Sequence, residues 1–96
     1  MSIAELLKLN REDILRIAAK HGASNVRVFG SAAHGETGEE SDIDLLVQVG
    51  PDTSAWFPAG LILELEELLG RKVDVVSEDS LYWLLRRRIL KEAMTL

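Results

Sequence analysis

The sequence predicts an α/β (α+β) fold in which a small mixed three-stranded sheet is covered by helices on one face. Three observations carry the prediction. Short β-branched runs bounded by turn residues stand at Val26–Phe29, from Ile43 to Val49 and at Lys72–Val76. Apolar residues at helical spacing occupy the segments before the first run, between the second and third, and after the third. The order strand, helix, strand from Ile43 to Val76 makes those two strands parallel neighbours.

The elements follow in order. Ser2 and Glu5 form a capping box for a short helix to about Leu9. Asn10 is the expected N-cap of a helix over Arg11–His21, with Glu12 and Asp13 in its first turn, Ile14, Leu15, Ile17 and Ala18 on its apolar stripe, and Gly22 at its close. His21 is expected to be a solvated helix terminus rather than a ligand. Strand alternation places Ile43, Leu45, Val47 and Val49 on a buried face. Asp42, Asp44, Leu46 and Gln48 lie on the other, open at its Asp-bearing end. Gly50 to Phe57 is a loop whose Trp56 and Phe57 are expected to staple the next helix to the core, the alternative being a partner contact. That helix opens at Pro58, buries Leu61, Ile62, Leu65, Leu68 and Leu69, and stops at Gly70. The third strand sets Val73 and Val75 against Asp74. Ser80 to Leu96 reads as one helix; its Arg86, Arg87, Arg88 and Lys91 form a solvated basic end or a contact for an acidic partner or for RNA held by that partner, with no direct nucleic-acid binding expected.

Ninety-six residues, 47% of them hydrophobic, are expected to make one small domain spanning 1–96 that benefits from a partner subunit. A net charge of −5 argues against nonspecific nucleic-acid binding and against template-guided polymerisation. With no cysteine there is neither a disulfide framework nor a thiolate metal site. The N-terminal residues lack the pattern of a signal peptide, no apolar segment is long enough to span a bilayer, and a cytoplasmic location is expected.

The chemistry concentrates between Val26 and Val49. Asp42 and Asp44, two apart on one strand, direct their carboxylates to the same face and suit a hard, oxygen-seeking cation such as Mg2+. Gly30-Ser31, at the end of the preceding strand, offers close backbone approach and an N–H and hydroxyl cradle for an anion. A phosphate-holding corner beside a metal-holding edge is the layout of phosphoryl-group chemistry. Asp74, near the start of a parallel neighbour, is expected to join the pair on the open face.

Gly30-Ser31 followed by Asp42-Ile43-Asp44 resembles the nucleotidyltransferase signature of the DNA polymerase β-like superfamily. The wider text, FGSAAHGE and SDIDLLV, is most similar to the minimal nucleotidyltransferases, over roughly Arg11 to Ala93. The resemblance implies the polymerase β-like palm fold. It also implies Asp42, Asp44 and Asp74 as catalytic, metal-holding carboxylates for two Mg2+ ions. Gly30, Ser31, His34 and Ser41 become nucleotide-binding residues, and ATP the substrate. His34 stands where the family commonly carries Arg; it can donate a hydrogen bond to a phosphate but is neutral for part of the physiological range.

Antibiotic nucleotidyltransferases of this superfamily generally add a domain for the drug, so a chain of this size is expected to meet its acceptor on a macromolecule. The resemblance supplies a HEPN-domain toxin, a ribonuclease silenced by transfer of AMP to one of its hydroxyls, with this chain as the antitoxin in a hetero-oligomer. Two other readings stand beside it. One is an antitoxin that masks its partner without catalysis; the other is a nucleotidyltransferase subunit acting on a small molecule.

Overall fold

The computed structural model describes residues 3–30, 42–51, 57–80 and 83–96. Two helices, α1 (Ile3–Leu9) and α2 (Arg11–Lys20), lead into an antiparallel pair, β1 (Ala23–Phe29) and β2 (Ile43–Val49). Helix α3 (Ala59–Leu69) crosses back to β3 (Val73–Ser77), parallel to β2. A 3-10 turn (Glu78–Ser80), helix α4 (Trp83–Glu92) and a two-residue strand β4 (Met94–Thr95) follow. The strand order is β3-β2-β1-β4.

The alternation read from the sequence sets the core. Ile43, Leu45 and Val47 of β2 are buried with Val26 and Val28 of β1 and Val73 and Val75 of β3. Over them pack Ile3 and Leu7 of α1, Ile14, Ile17 and Ala18 of α2, and Leu61, Leu65 and Leu69 of α3. Ile62, Leu68 and Phe57 pack against this cluster from its margin, Phe57 in the stapling role expected of it. Trp56 and Ser2, the expected cap, lie outside the described residues. Gly70 ends α3 in the left-handed region, at φ +66°, and its N–H donates to the Glu66 carbonyl.

Four features depart from the sequence reading, each for a local or long-range reason. The sheet has four strands, not three, because the tail leaves its helix at Glu92 and Met94–Thr95 pairs with β1. Helical spacing registers only near neighbours, whereas this pairing satisfies the far edge of β1: Leu96 N–H donates to the Val26 carbonyl at 3.2 Å. β1 also begins at Ala23 rather than Val26 and carries a bulge between Ser24 and Arg27, with Asn25 at φ +48°, a conformation Asn tolerates. The extra residue exchanges the two faces of the strand beyond it, so Val26 and Val28 enter the core and Arg27 is turned outward. Asn10 does not cap α2 with its side chain; its Nδ2 donates to the Leu6 carbonyl at 2.9 Å and closes α1 instead. His21 is the C-cap of α2 but is not solvated: its side chain is 17% exposed and its Nε2 lies 3.0 Å from Glu64 Oε1 of α3. Lys20 Nζ reaches the same oxygen at 2.8 Å, and hydrogen bonds from Lys20 and then His21 hold the Glu64 carboxyl below its ordinary range.

Candidate active site

The face of the sheet opposite the helices carries the residues singled out by their chemistry. Asp44 lies directly across from Asp74 in the parallel β2–β3 ladder and across from Phe29 in the antiparallel β1–β2 ladder. Asp42, two residues before Asp44, precedes β2 on the same side. The end of β1 and the starts of β2 and β3 thus meet at one end of the sheet. Asp42 and Asp74 are exposed and Asp44 is half-buried.

Gly30 closes β1 against this group. Its φ is +72°, and a Cβ there would stand 2.6 Å from Asp44 Oδ2. The glycine is needed for two reasons, a left-handed backbone and the volume of the Asp44 carboxylate. Sequence reasoning anticipates the turn closed to other residues and close approach to a ligand, but not the contact with Asp44. Asp44 itself is perturbed: partial burial, then the charges of Asp74 and Asp42, raise its pKa above the usual carboxylate range. Among the described residues, no three His, Cys, Asp or Glu side chains are gathered closely enough to enclose a metal ion. The three carboxylates share an edge and feel one another's charge without converging on one point. Their donor set, all hard carboxylate oxygen, and the repulsion that raises Asp44 both fit a divalent cation. Ser31, His34 and Ser41 lie outside the described residues.

One row further along the same face, Arg27 faces Leu46, which in turn faces Val76. Leu46 is fully buried although it lies outside the main core cluster. Arg27 Nη1 donates to Glu78 Oε1 at 2.9 Å, with both side chains nearly buried. The face is therefore open at its carboxylate end and closed behind it. The sequence signals Arg27 only as a polar residue alternating with Val26 and Val28; nothing local marks Glu78 as its partner.

Comparison with known proteins places this geometry. The nucleotidyltransferase domain model matches residues 11–96. The chain belongs to the nucleotidyltransferase domain family. It is 44% identical over 84 residues to a Methanocaldococcus jannaschii chain named "putative protein adenylyltransferase", covering 88% of this chain and 90% of that one. It is 36% identical over 75 residues to the protein adenylyltransferase MntA of Thermococcus cleftensis, covering 78% and 76%. A solved structure described as a "putative minimal nucleotidyltransferase" superposes with a TM-score of 0.88 at 48% identity, covering 100% of this chain and 97% of that one. The same fold recurs, at 22% identity and a TM-score of 0.76, in a toxin–antitoxin structure containing AMP-PNP, where it covers 90% of this chain and 71% of that one. The nucleotidyltransferase fold and enzyme class expected from Gly30-Ser31 and Asp42-Ile43-Asp44 are those of its relatives. Among the described residues no helix is long and apolar enough to cross a membrane.

Proposed function

We propose that this nucleotidyltransferase transfers AMP from ATP to a side-chain hydroxyl of a partner protein, and that the partner is a HEPN-domain toxin that the modification silences. One observation carries the reading: Asp44 faces Asp74 on adjacent parallel strands while Gly30 is pressed against the Asp44 carboxylate. This is the meeting of a carboxylate edge with a glycine corner that phosphoryl transfer requires. The choice of a protein as acceptor is supported by the relatives at 44% and 36% identity, both named as adenylyltransferases of proteins. The toxin partner leans on the toxin–antitoxin structures in which this fold also occurs.

In this reading Asp42, Asp44 and Asp74 hold Mg2+. The bound ions supply Lewis-acid neutralisation of the triphosphate and of the attacking oxygen. Gly30 and Ser31 hold the outer phosphates by backbone N–H groups and a hydroxyl, with Ser41 beside them, and His34 donates a further hydrogen bond. Asp74 accepts the proton of the acceptor hydroxyl. The hydroxyl oxygen bonds to the α-phosphorus as the bond between that phosphorus and the oxygen bridging to the β-phosphorus breaks, and pyrophosphate leaves. The 96 residues act as one catalytic domain, and the acceptor is brought to the open end of the sheet by the partner.

The test is neutralisation, in cells, of the HEPN-domain toxin proposed as partner, sought first in the neighbouring gene. The wild-type chain is expected to restore growth, and Asp42→Ala, produced at the same level and still bound to the toxin, is expected to fail. Full neutralisation by Asp42→Ala would instead assign silencing to contact alone.

A further inference from the structure

Among the described strands β3, which presents Asp74, is an edge strand, paired with β2 on one side. Asp74 lies directly opposite Asp44 in the β2–β3 ladder. The strand is fastened at both ends by side-chain carboxylates. At its start, Val73 N–H donates to Glu66 Oε2 of α3 at 3.1 Å. Just past its end, Glu78 accepts from Arg27 Nη1 at 2.9 Å, across the width of β2. Arg27 is in turn fixed by its Nε, which donates to the Asn25 carbonyl at 3.0 Å inside the β1 bulge.

The Arg27–Glu78 pair is poorly explained as a device for stability. Its side chains are only 12% and 15% exposed, so both charges are largely desolvated. Arg27 Nη2 is buried with no hydrogen-bond partner among the described residues. A buried ion pair with an unsatisfied N–H is often replaceable by apolar residues at no loss of stability. Its placement on the site face, one row behind the carboxylates, suggests what it is for.

We propose that Arg27 is a positioning residue for Asp74: tied to Glu78 across the sheet, it fixes edge strand β3 so that Asp74 stays beside Asp44 when the site takes a divalent cation. The inference rests on the metal-dependent reading above and deepens it. It is tested on the full chain with Arg27→Met/Glu78→Leu, an apolar pair of similar volume. Two quantities are measured: thermal unfolding without metal, and Mn2+ binding by titration calorimetry. The double variant is expected to unfold at or above the wild-type temperature while Mn2+ affinity falls about tenfold or more, as for other residues that orient metal ligands. Wild-type Mn2+ affinity in a folded double variant overturns the inference alone. Failure of the double variant to fold also overturns it, by making the pair a support of the whole fold. Absence of Mn2+ binding by the wild type overturns the metal-dependent reading, and the inference with it.

Discussion

At Gly30 two demands meet in one residue. The backbone sits at φ +72°, and the space a side chain would need is taken by Asp44 Oδ2, 2.6 Å from where a Cβ would stand. Gly30→Ala is therefore expected to cost about 1–2 kcal/mol of stability from the left-handed backbone alone, measured by urea unfolding. Because the new methyl also displaces Asp44, nucleotidyl transfer is expected to fall by more than that strain implies. Asp44 makes the complementary prediction. Its pKa is raised, so its ionisation costs the metal-free fold stability, and that cost appears as pH rises through the folded-state value. At neutral pH, Asp44→Asn is expected to leave metal-free stability unchanged or raise it by roughly a few tenths of a kcal/mol, discounted for partial exposure. The same substitution is expected to abolish transfer. A metal-free melting temperature well below wild type would contradict the proposed repulsion.

Between elements, the most informative contacts are long in sequence. His21 and Lys20 at the end of α2 share Glu64 of α3 and hold its carboxyl below its ordinary value of 4.5. A lowered carboxyl stabilises the fold above its unfolded-state pKa, and that contribution is lost as pH falls through the folded-state value. Melting temperature measured from neutral to acid pH is expected to drop less for Glu64→Gln than for wild type in the interval below 4.5. Parallel curves would show that the α2–α3 tie contributes nothing.

These same elements show what the sequence discloses. Period-two alternation in β2 and β3 and the stripe of α3 are local, and they were legible down to the shared face of Asp42, Asp44 and Asp74. The pairing of His21 with Glu64, of Arg27 with Glu78 and of β4 with β1 joins residues far apart in the chain, and no local pattern encodes it. The bulge at Asn25 was signalled only by a polar pair, Ser24-Asn25, which also suits a loop. Asn10 was legible as a cap, but of the preceding helix, since one Asn between two helices can serve either end.

For the molecule as a whole, the sheet places its carboxylates at one end of one face, with helices α1 to α3 on the other and the Arg27–Glu78 pair closing the row behind. Arg87, Arg88 and Lys91 are exposed on α4 in a chain of net charge −5. Arg88 pairs with Glu92 at 3.3 Å, as a solvated helix end does. Reversing Arg87 to Glu is accordingly expected to change stability by no more than about 0.5 kcal/mol in urea unfolding.

The proposal that these carboxylates adenylylate a protein is tested most directly by intact mass. The proposed HEPN-domain toxin, sought as the product of the neighbouring gene, would be incubated with the enzyme, ATP and Mg2+, with Asp42→Ala/Asp44→Ala as the control. The expected product is a toxin heavier by one AMP or a whole multiple of it, with the control unchanged. An unmodified toxin that still forms a stable complex with the wild-type chain would contradict it.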